Sequence, residues 1–168
     1  MDMLKIIQKA KKNRLYLWLL NTGLARMIPF NKPHKFRIVE LGDYHIKTKV
    51  PYRKYNFNHI GGIHACALAT LSEFCTGFML LSLLDVRKYR IIMQSLHMEY
   101  HYQAKMDCYA HFQLTDAWLR AQVLEPLASG DKVTVNCEVL IHDLADNHIS
   151  TGIVQWQIKS WQQVKTKL

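Results

Sequence analysis

Asn58-His59-Ile60-Gly61-Gly62-Ile63-His64 feeds without a break into Ala65-Cys66-Ala67-Leu68-Ala69-Thr70-Leu71-Ser72-Glu73-Phe74-Cys75-Thr76-Gly77-Phe78-Met79-Leu80-Leu81-Ser82-Leu83-Leu84. The first seven residues form a polar, glycine-containing turn. The next twenty are apolar or small around one charge, the Glu73 carboxylate. An ionised carboxylate in such surroundings needs partners, an altered pKa or a task. A turn of this kind before an apolar run suits a helix whose first free N–H groups face a ligand. The run also has the ~20 residues a membrane span requires. A span would hold Glu73 near the bilayer centre, beside Thr70, Ser72, Thr76 and Gly77, at a cost of several kcal/mol. A helix buried on all sides by a sheet explains the same composition without that cost.

The rest of the chain supplies such a sheet. From Asp43 to Arg53 the residues Tyr44, Ile46, Thr48, Val50 and Tyr52 alternate with His45, Lys47 and Lys49, the period of a half-buried strand. Phe36 to Leu41 reads as the strand before it. Ile91–Gln103, Met106–Leu114, Asp131–Asp143 and His148–Gln162 repeat the pattern. In the last of these the buried parity shifts from Ile149, Thr151 and Ile153 to Val154, Trp156 and Ile158, and Gly152 marks a bulge. Ala104-Lys105 and Asp143–Asn147 are short enough for hairpins, and Pro126–Gly130 breaks the chain before the fifth strand. The order implies an α+β domain in which one antiparallel sheet wraps one long buried helix.

The chain has 168 residues and is 49% hydrophobic, enough for a single core. Cys66, Cys75, Cys108 and Cys137 lack paired or metal-type spacing, so reduced thiols and a cytoplasmic location are expected. The formal charge of +9 is concentrated early: residues 1–35 carry eight Lys and Arg against Asp2 alone. Lys5, Lys9, Lys11, Lys12 and Arg14 alternate with Leu4, Ile7 and Ala10 ahead of Leu15–Leu20, which reads as one amphipathic helix ending near Thr22-Gly23 or at Pro29. Such a helix packs on its own domain, lies on a membrane surface, or belongs to a signal peptide with Gly23-Leu24-Ala25 as its small-residue site. Nothing joins its basic residues into a nucleic-acid-reading motif. Residues 1–33 are therefore a basic helix and linker ahead of a main domain at 34–168.

Cys66, Thr70, Glu73 and Gly77 form one small or polar stripe of the long helix. Either a second helix or strand packs on this stripe, or a substrate group lies along it. Cys66 at the helix start is a candidate thiolate or a packing residue. His97, Glu99 and His101 share a strand face with His111 opposite; a polar outer face accounts for them, and no metal is expected.

The spacing Asn58-x5-His64-x8-Glu73, with Gly61 and Gly62 between and Ala-Leu-Ala-Thr-Leu before the carboxylate, resembles the signature of hot-dog fold acyl-CoA thioesterases of the phenylacetyl-CoA thioesterase-like branch. The N-terminal helix with Asn31-Lys32-Pro33 is similar to a hot-dog subgroup of unknown function. The resemblance implies that Glu73 attacks a thioester or activates a water, facing a helix N-terminus from a partner subunit. It implies the Ala65 N–H as oxyanion donor, Asn58 as a positioner of water or thioester, and His64 as a shaper of the loop. Gly61, Gly62, Cys66, Thr70, Thr76 and Gly77 would line the substrate, and Arg87, Lys88 and Arg90 are the nearest basic cluster for coenzyme A phosphates. Coenzyme A would enter as part of the substrate, with no separate cofactor. The assembly implied is a homodimer, with a tetramer left open. The chain departs from the family pattern at Ala65-Cys66, where relatives have Gly-Gly, and at Gly77, where many have Thr. A smaller tunnel, another acyl group, or a non-catalytic acyl-binding hot-dog protein each fits those departures.

Overall fold

The computed structural model describes residues 3–130 and 132–164. The expected start of a strand at Asp131 lies outside them. Three helices come first, α1 (Met3–Ala10), α2 (Arg14–Met27) and α3 (Asn31–His34). Strands β1 (Arg37–Leu41) and β2 (His45–Val50) lead to the long helix α4 (Ala65–Leu83). Then come β3 (Tyr89–Tyr100), β4 (Cys108–Gln113), the short helices α5 (Asp116–Leu119) and α6 (Glu125–Ser129), β5 (Lys132–Asp143) and β6 (His148–Ser160). The six strands form one antiparallel sheet in the order β1-β2-β4-β5-β6-β3.

α4 lies against β2, β3, β4, β5 and β6, which is the wrapped-helix layout expected. It is the one helix among the described residues long and apolar enough to cross a bilayer. Its Leu71, Met79 and Leu80 are instead fully buried in the same core as Ile46, Val139, Ile141 and Ile158 of the sheet. Each such side chain contributes about 1.5–3 kcal/mol of burial. The helix starts where expected because His64 caps it, Nδ1 accepting from the Cys66 N–H at 3.1 Å.

Several expectations need correction. The N-terminal helix is two helices, broken at Lys11-Lys12, because Asn13 caps the second by accepting from the Leu15 N–H at 2.8 Å. α2 then runs through Gly23 without stopping. Part of the basic character serves docking, since Lys11 pairs with Asp43 at 3.0 Å and holds that carboxyl below its ordinary range. Asn21 exchanges two hydrogen bonds with the backbone of Ile38 on the edge strand β1, at 2.7 and 2.8 Å, and so satisfies it as a strand would. The apolar side of these helices, Ile7, Ala10, Leu20 and Leu24, is buried in the domain, whereas Leu15 and Trp18 stay over 60% exposed.

Ala104-Lys105 turns no hairpin: among the described residues β3 pairs only with β6, while β4 sits between β2 and β5. Ala104 is pinned elsewhere, its carbonyl accepting from the Ile63 N–H at 2.8 Å beside the start of α4. This arrangement also separates His111 on β4 from His97 on β3 and from His101 just past its end, and no metal-holding group of His, Cys, Asp and Glu occurs among the described residues. The bulge of β6 falls at Ile149 rather than Gly152, since Ile141 pairs with Ser150 and His142 with His148. Gly152 serves a close approach, because a Cβ there would lie 2.9 Å from Ser72 Oγ of α4. The expected hairpin at 143–147 does form, with the Asp143 carboxylate accepting from the N–H groups of Ala145 and Asn147.

Candidate functional site

The loop before α4 is built by side chains bonding their own backbone. Asn58 Oδ1 accepts from the N–H of Ile60 at 3.1 Å and of Gly62 at 3.0 Å, so that oxygen is committed to the turn. Gly61 takes φ +75°, which only glycine adopts without strain, and its carbonyl accepts from the Tyr52 hydroxyl at 2.6 Å. Gly62 packs against Gln103 and the Ala104 carbonyl. Asn56, two residues before the expected Asn58, is the hub. It is 1% exposed, donates to the carbonyls of His34 and Pro51, and accepts from His34 Nδ1 at 2.9 Å. Its backbone carbonyl accepts from the His64 N–H at 2.7 Å, tying α3 and the loop to the start of α4. A polar residue between Tyr55 and Phe57 was the signal in the sequence for this role.

The stripe Cys66–Thr70–Glu73–Gly77 faces two cavities. The smaller, about 230 Å³, lies by His64, Cys66 and Thr70 and is closed by Phe30, His34 and Phe57. The larger, about 430 Å³, lies by Glu73 and Gly77 and is closed by α1 and α2 through Ile7, Leu24 and Met27. Thr70 donates its hydroxyl to the Cys66 carbonyl at 2.9 Å. Glu73 is half-buried at the apolar cavity, and burial pushes its carboxyl above the ordinary range.

The other expected substrate residues are placed differently. Thr76 is fully buried, with Oγ1 donating to the Ser72 carbonyl at 3.0 Å and accepting from Trp156 Nε1 at 3.0 Å. It faces the sheet and neither cavity. Gly77 is where the Trp156 indole crosses the helix: a Cβ would lie 2.6 Å from the ring. Arg87 and Lys88 follow the far end of α4, about 28 Å from Ala65 along a 19-residue helix. Arg87 pairs with Asp85 at 3.0 Å, and Arg90 lies in β3 opposite Lys159. One chain therefore does not bring this cluster to the helix N-terminus. Tyr100, unmarked in the sequence reading, donates to the Ala65 carbonyl at 3.1 Å and borders the helix start from β3.

Along α4 the Ala65 amide and Glu73 are eight residues, or about 12 Å, apart. One carbonyl group cannot touch both within one chain.

No curated protein is similar to this one in sequence. Solved structures similar to it include a Pseudomonas aeruginosa protein of unknown function described as a probable thioesterase. It is 24% identical with a TM-score of 0.76, over 84% of this chain and 94% of that one. A Haemophilus influenzae thioesterase is 10% identical with a TM-score of 0.69, over 89% and 94%. A mutant of a Staphylococcus aureus thioesterase is 14% identical with a TM-score of 0.64, over 78% and 98%. At these identities the likeness establishes the hot-dog fold. Residues 17–164, which include most of α2, match the pattern described as DUF4442, a domain of unknown function, and the chain belongs to that family.

Proposed function

We propose that the protein hydrolyses an acyl-CoA-type thioester, with Glu73 as general base or nucleophile. The observation that carries this reading is a lone carboxylate at the edge of a mostly apolar cavity, with its proton affinity raised by burial. That shift moves it toward the range useful to a general base near neutral pH. Neighbours of the same fold described as thioesterases add support. In the general-base route Glu73 takes a proton from water as the water oxygen bonds to the thioester carbon. The negative charge that develops on the carbonyl oxygen is met by the Ala65 N–H and the positive end of α4. Collapse breaks the carbon–sulfur bond, and the thiolate takes the proton back from Glu73. Because about 12 Å separates Ala65 from Glu73 along one helix, the amide and the carboxylate come from two copies of the chain. A homodimer with two equivalent sites follows.

A second reading is a non-catalytic acyl-binding protein. The observation favouring it is that the Thr76 hydroxyl and the Asn58 Oδ1 are already engaged, leaving Glu73 without an evident second group to orient water. Thiol release from short, long and aromatic acyl-CoAs by wild type and Glu73→Ala separates the two. Hydrolysis that falls by a factor on the order of 10²–10⁴ in a folded dimeric variant supports the enzyme. An unchanged rate removes Glu73 from the mechanism, and no release from any member leaves the binding protein.

A further inference from the structure

The larger cavity has a shape with consequences for what it holds. Its floor is α4 from Glu73 to Leu81, eight residues or about 12 Å of helix. Its roof is the α1–α2 hairpin, held to the sheet by Asn21 and to the β1–β2 turn by Lys11. Polar side chains enter only as Glu73 from the floor and Asn31 at the start of α3, since the Trp156 indole N–H is spent on Thr76. Gly77 lets the Trp156 indole cross the helix one turn beyond the carboxylate, so that the ring forms part of the cavity wall there.

We infer that this cavity is the seat of a straight aliphatic acyl chain of about ten carbons, and that the α1–α2 hairpin sets that length. The inference rests on the thioester reading of Glu73. With carbon–carbon bonds of ~1.5 Å at near-tetrahedral angles, an extended chain advances about 1.25 Å per bond, so about ten carbons span the floor. The chain enters with its thioester carbon beside Glu73, runs past Trp156 and Phe78 beneath α1 and α2, and ends against Leu81 and Val86. An apolar slot of fixed length suits a saturated chain, since each methylene inside it leaves water and each one beyond it gains nothing.

The test uses unreactive S-alkyl coenzyme A thioethers from butyl to hexadecyl, titrated calorimetrically into the full chain. Affinity is expected to rise about fourfold per added methylene and to level off at about ten carbons. Leu81→Trp on the floor and Met27→Trp in the roof alter side chains that are 38% and 65% exposed, so each leaves the core intact. Both should move the break to shorter chains by about two to four carbons. Leu144→Trp, on the exposed β5–β6 hairpin, should leave it in place. Affinity indifferent to chain length, or a break that Leu81→Trp and Met27→Trp do not move, would overturn the inference. Thiol release from the matching acyl-CoAs, run in parallel, separates this outcome from failure of the enzyme reading. A movable break without hydrolysis keeps the cavity assignment and removes the catalysis; hydrolysis without a movable break does the reverse.

Discussion

Gly77→Ala should destabilise the protein even though alanine is the better helix former. In the middle of a helix the exchange is worth about 1 kcal/mol in favour of Ala. Here the new Cβ would sit 2.6 Å from Trp156 Cη2 and 2.7 Å from Cζ2, where ordinary contact begins near 3.4 Å. The indole has no easy retreat, being 4% exposed and anchored through Nε1 to Thr76 at 3.0 Å. Forcing extra volume into a packed core costs about 1–3 kcal/mol, and the upper part of that range applies because the obstacle is a rigid bicycle. The net loss is then about 1–2 kcal/mol. With a urea m-value of ~2 kcal/mol/M, the unfolding midpoint should fall by about 0.5–1 M. The same substitution in a Trp156→Phe background, where the offending ring atoms are gone, should instead stabilise by up to about 1 kcal/mol. A midpoint for Gly77→Ala equal to or above wild type, or an equal loss in both backgrounds, would refute the packing account of this glycine.

Further expectations follow from single contacts. Removing the cap with His64→Ala should cost about 1 kcal/mol in urea denaturation, and His64→Asn should recover most of it; equal stability of all three would dismiss the cap. Asp143 is opposed by burial, but donors from Asn147 and Ala145 outweigh that and hold its carboxyl below the ordinary range. Its contribution is therefore full above pH ~4 and is lost as pH falls through the lower folded value, a dependence that Asp143→Ala should abolish in acid denaturation curves. Glu73 has the opposite sign. Burial raises its folded pKa, so stability is highest below the ordinary carboxylate range and declines as pH rises through it to the raised value. Glu73→Gln should flatten that decline, which begins above pH ~4; parallel curves for the two proteins would mean that the carboxylate is not penalised in the fold.

What the sequence makes legible, and what it hides, divides along the distance between partners. α4, β2 and the β5–β6 hairpin announce themselves because their signals are local: an apolar run after a capped turn, strict alternation, and an Asp-x3-Asn turn. The Ala104-Lys105 hairpin failed because a short connection says nothing about which strand an element finally pairs with. β3 crosses to the far edge beside β6, and the decisive contact is between Ala104 and Ile63. The helical segment from Asp116 to Ser129 was missed for a related reason. It is stitched from α5, a π-turn at Arg120–Leu124 and α6, so it has no single helical period, although Thr115 caps its start. Among the expected site residues, Glu73 stands out as the one charge of the apolar run, and His64 stands at its head, where it caps α4. Thr76 and Gly77 were not legible in this way, because both answer to Trp156, about eighty residues away in the chain.

The separation of Ala65 from Glu73 also makes the proposed chemistry depend on assembly in a way that can be measured. One edge of β3 pairs along its whole length with β6, and the other edge has no partner strand among the described residues. A long edge with Ile92 and Met93 more than a third exposed is one that proteins cover. If a second copy covers it and brings its own α4 N-terminus to Glu73, hydrolysis belongs to the dimer alone. Specific activity should then fall on dilution with the same midpoint as the dimer–monomer transition seen by sedimentation. Ile92→Lys combined with Met93→Lys, which sets four like charges against one another at a two-fold contact, should move both midpoints together to higher protein concentration. Full activity in a protein that sediments as a monomer would show that one chain completes the site. The oxyanion donor would then have to be sought within about 4 Å of the thioester beside Glu73 rather than at Ala65.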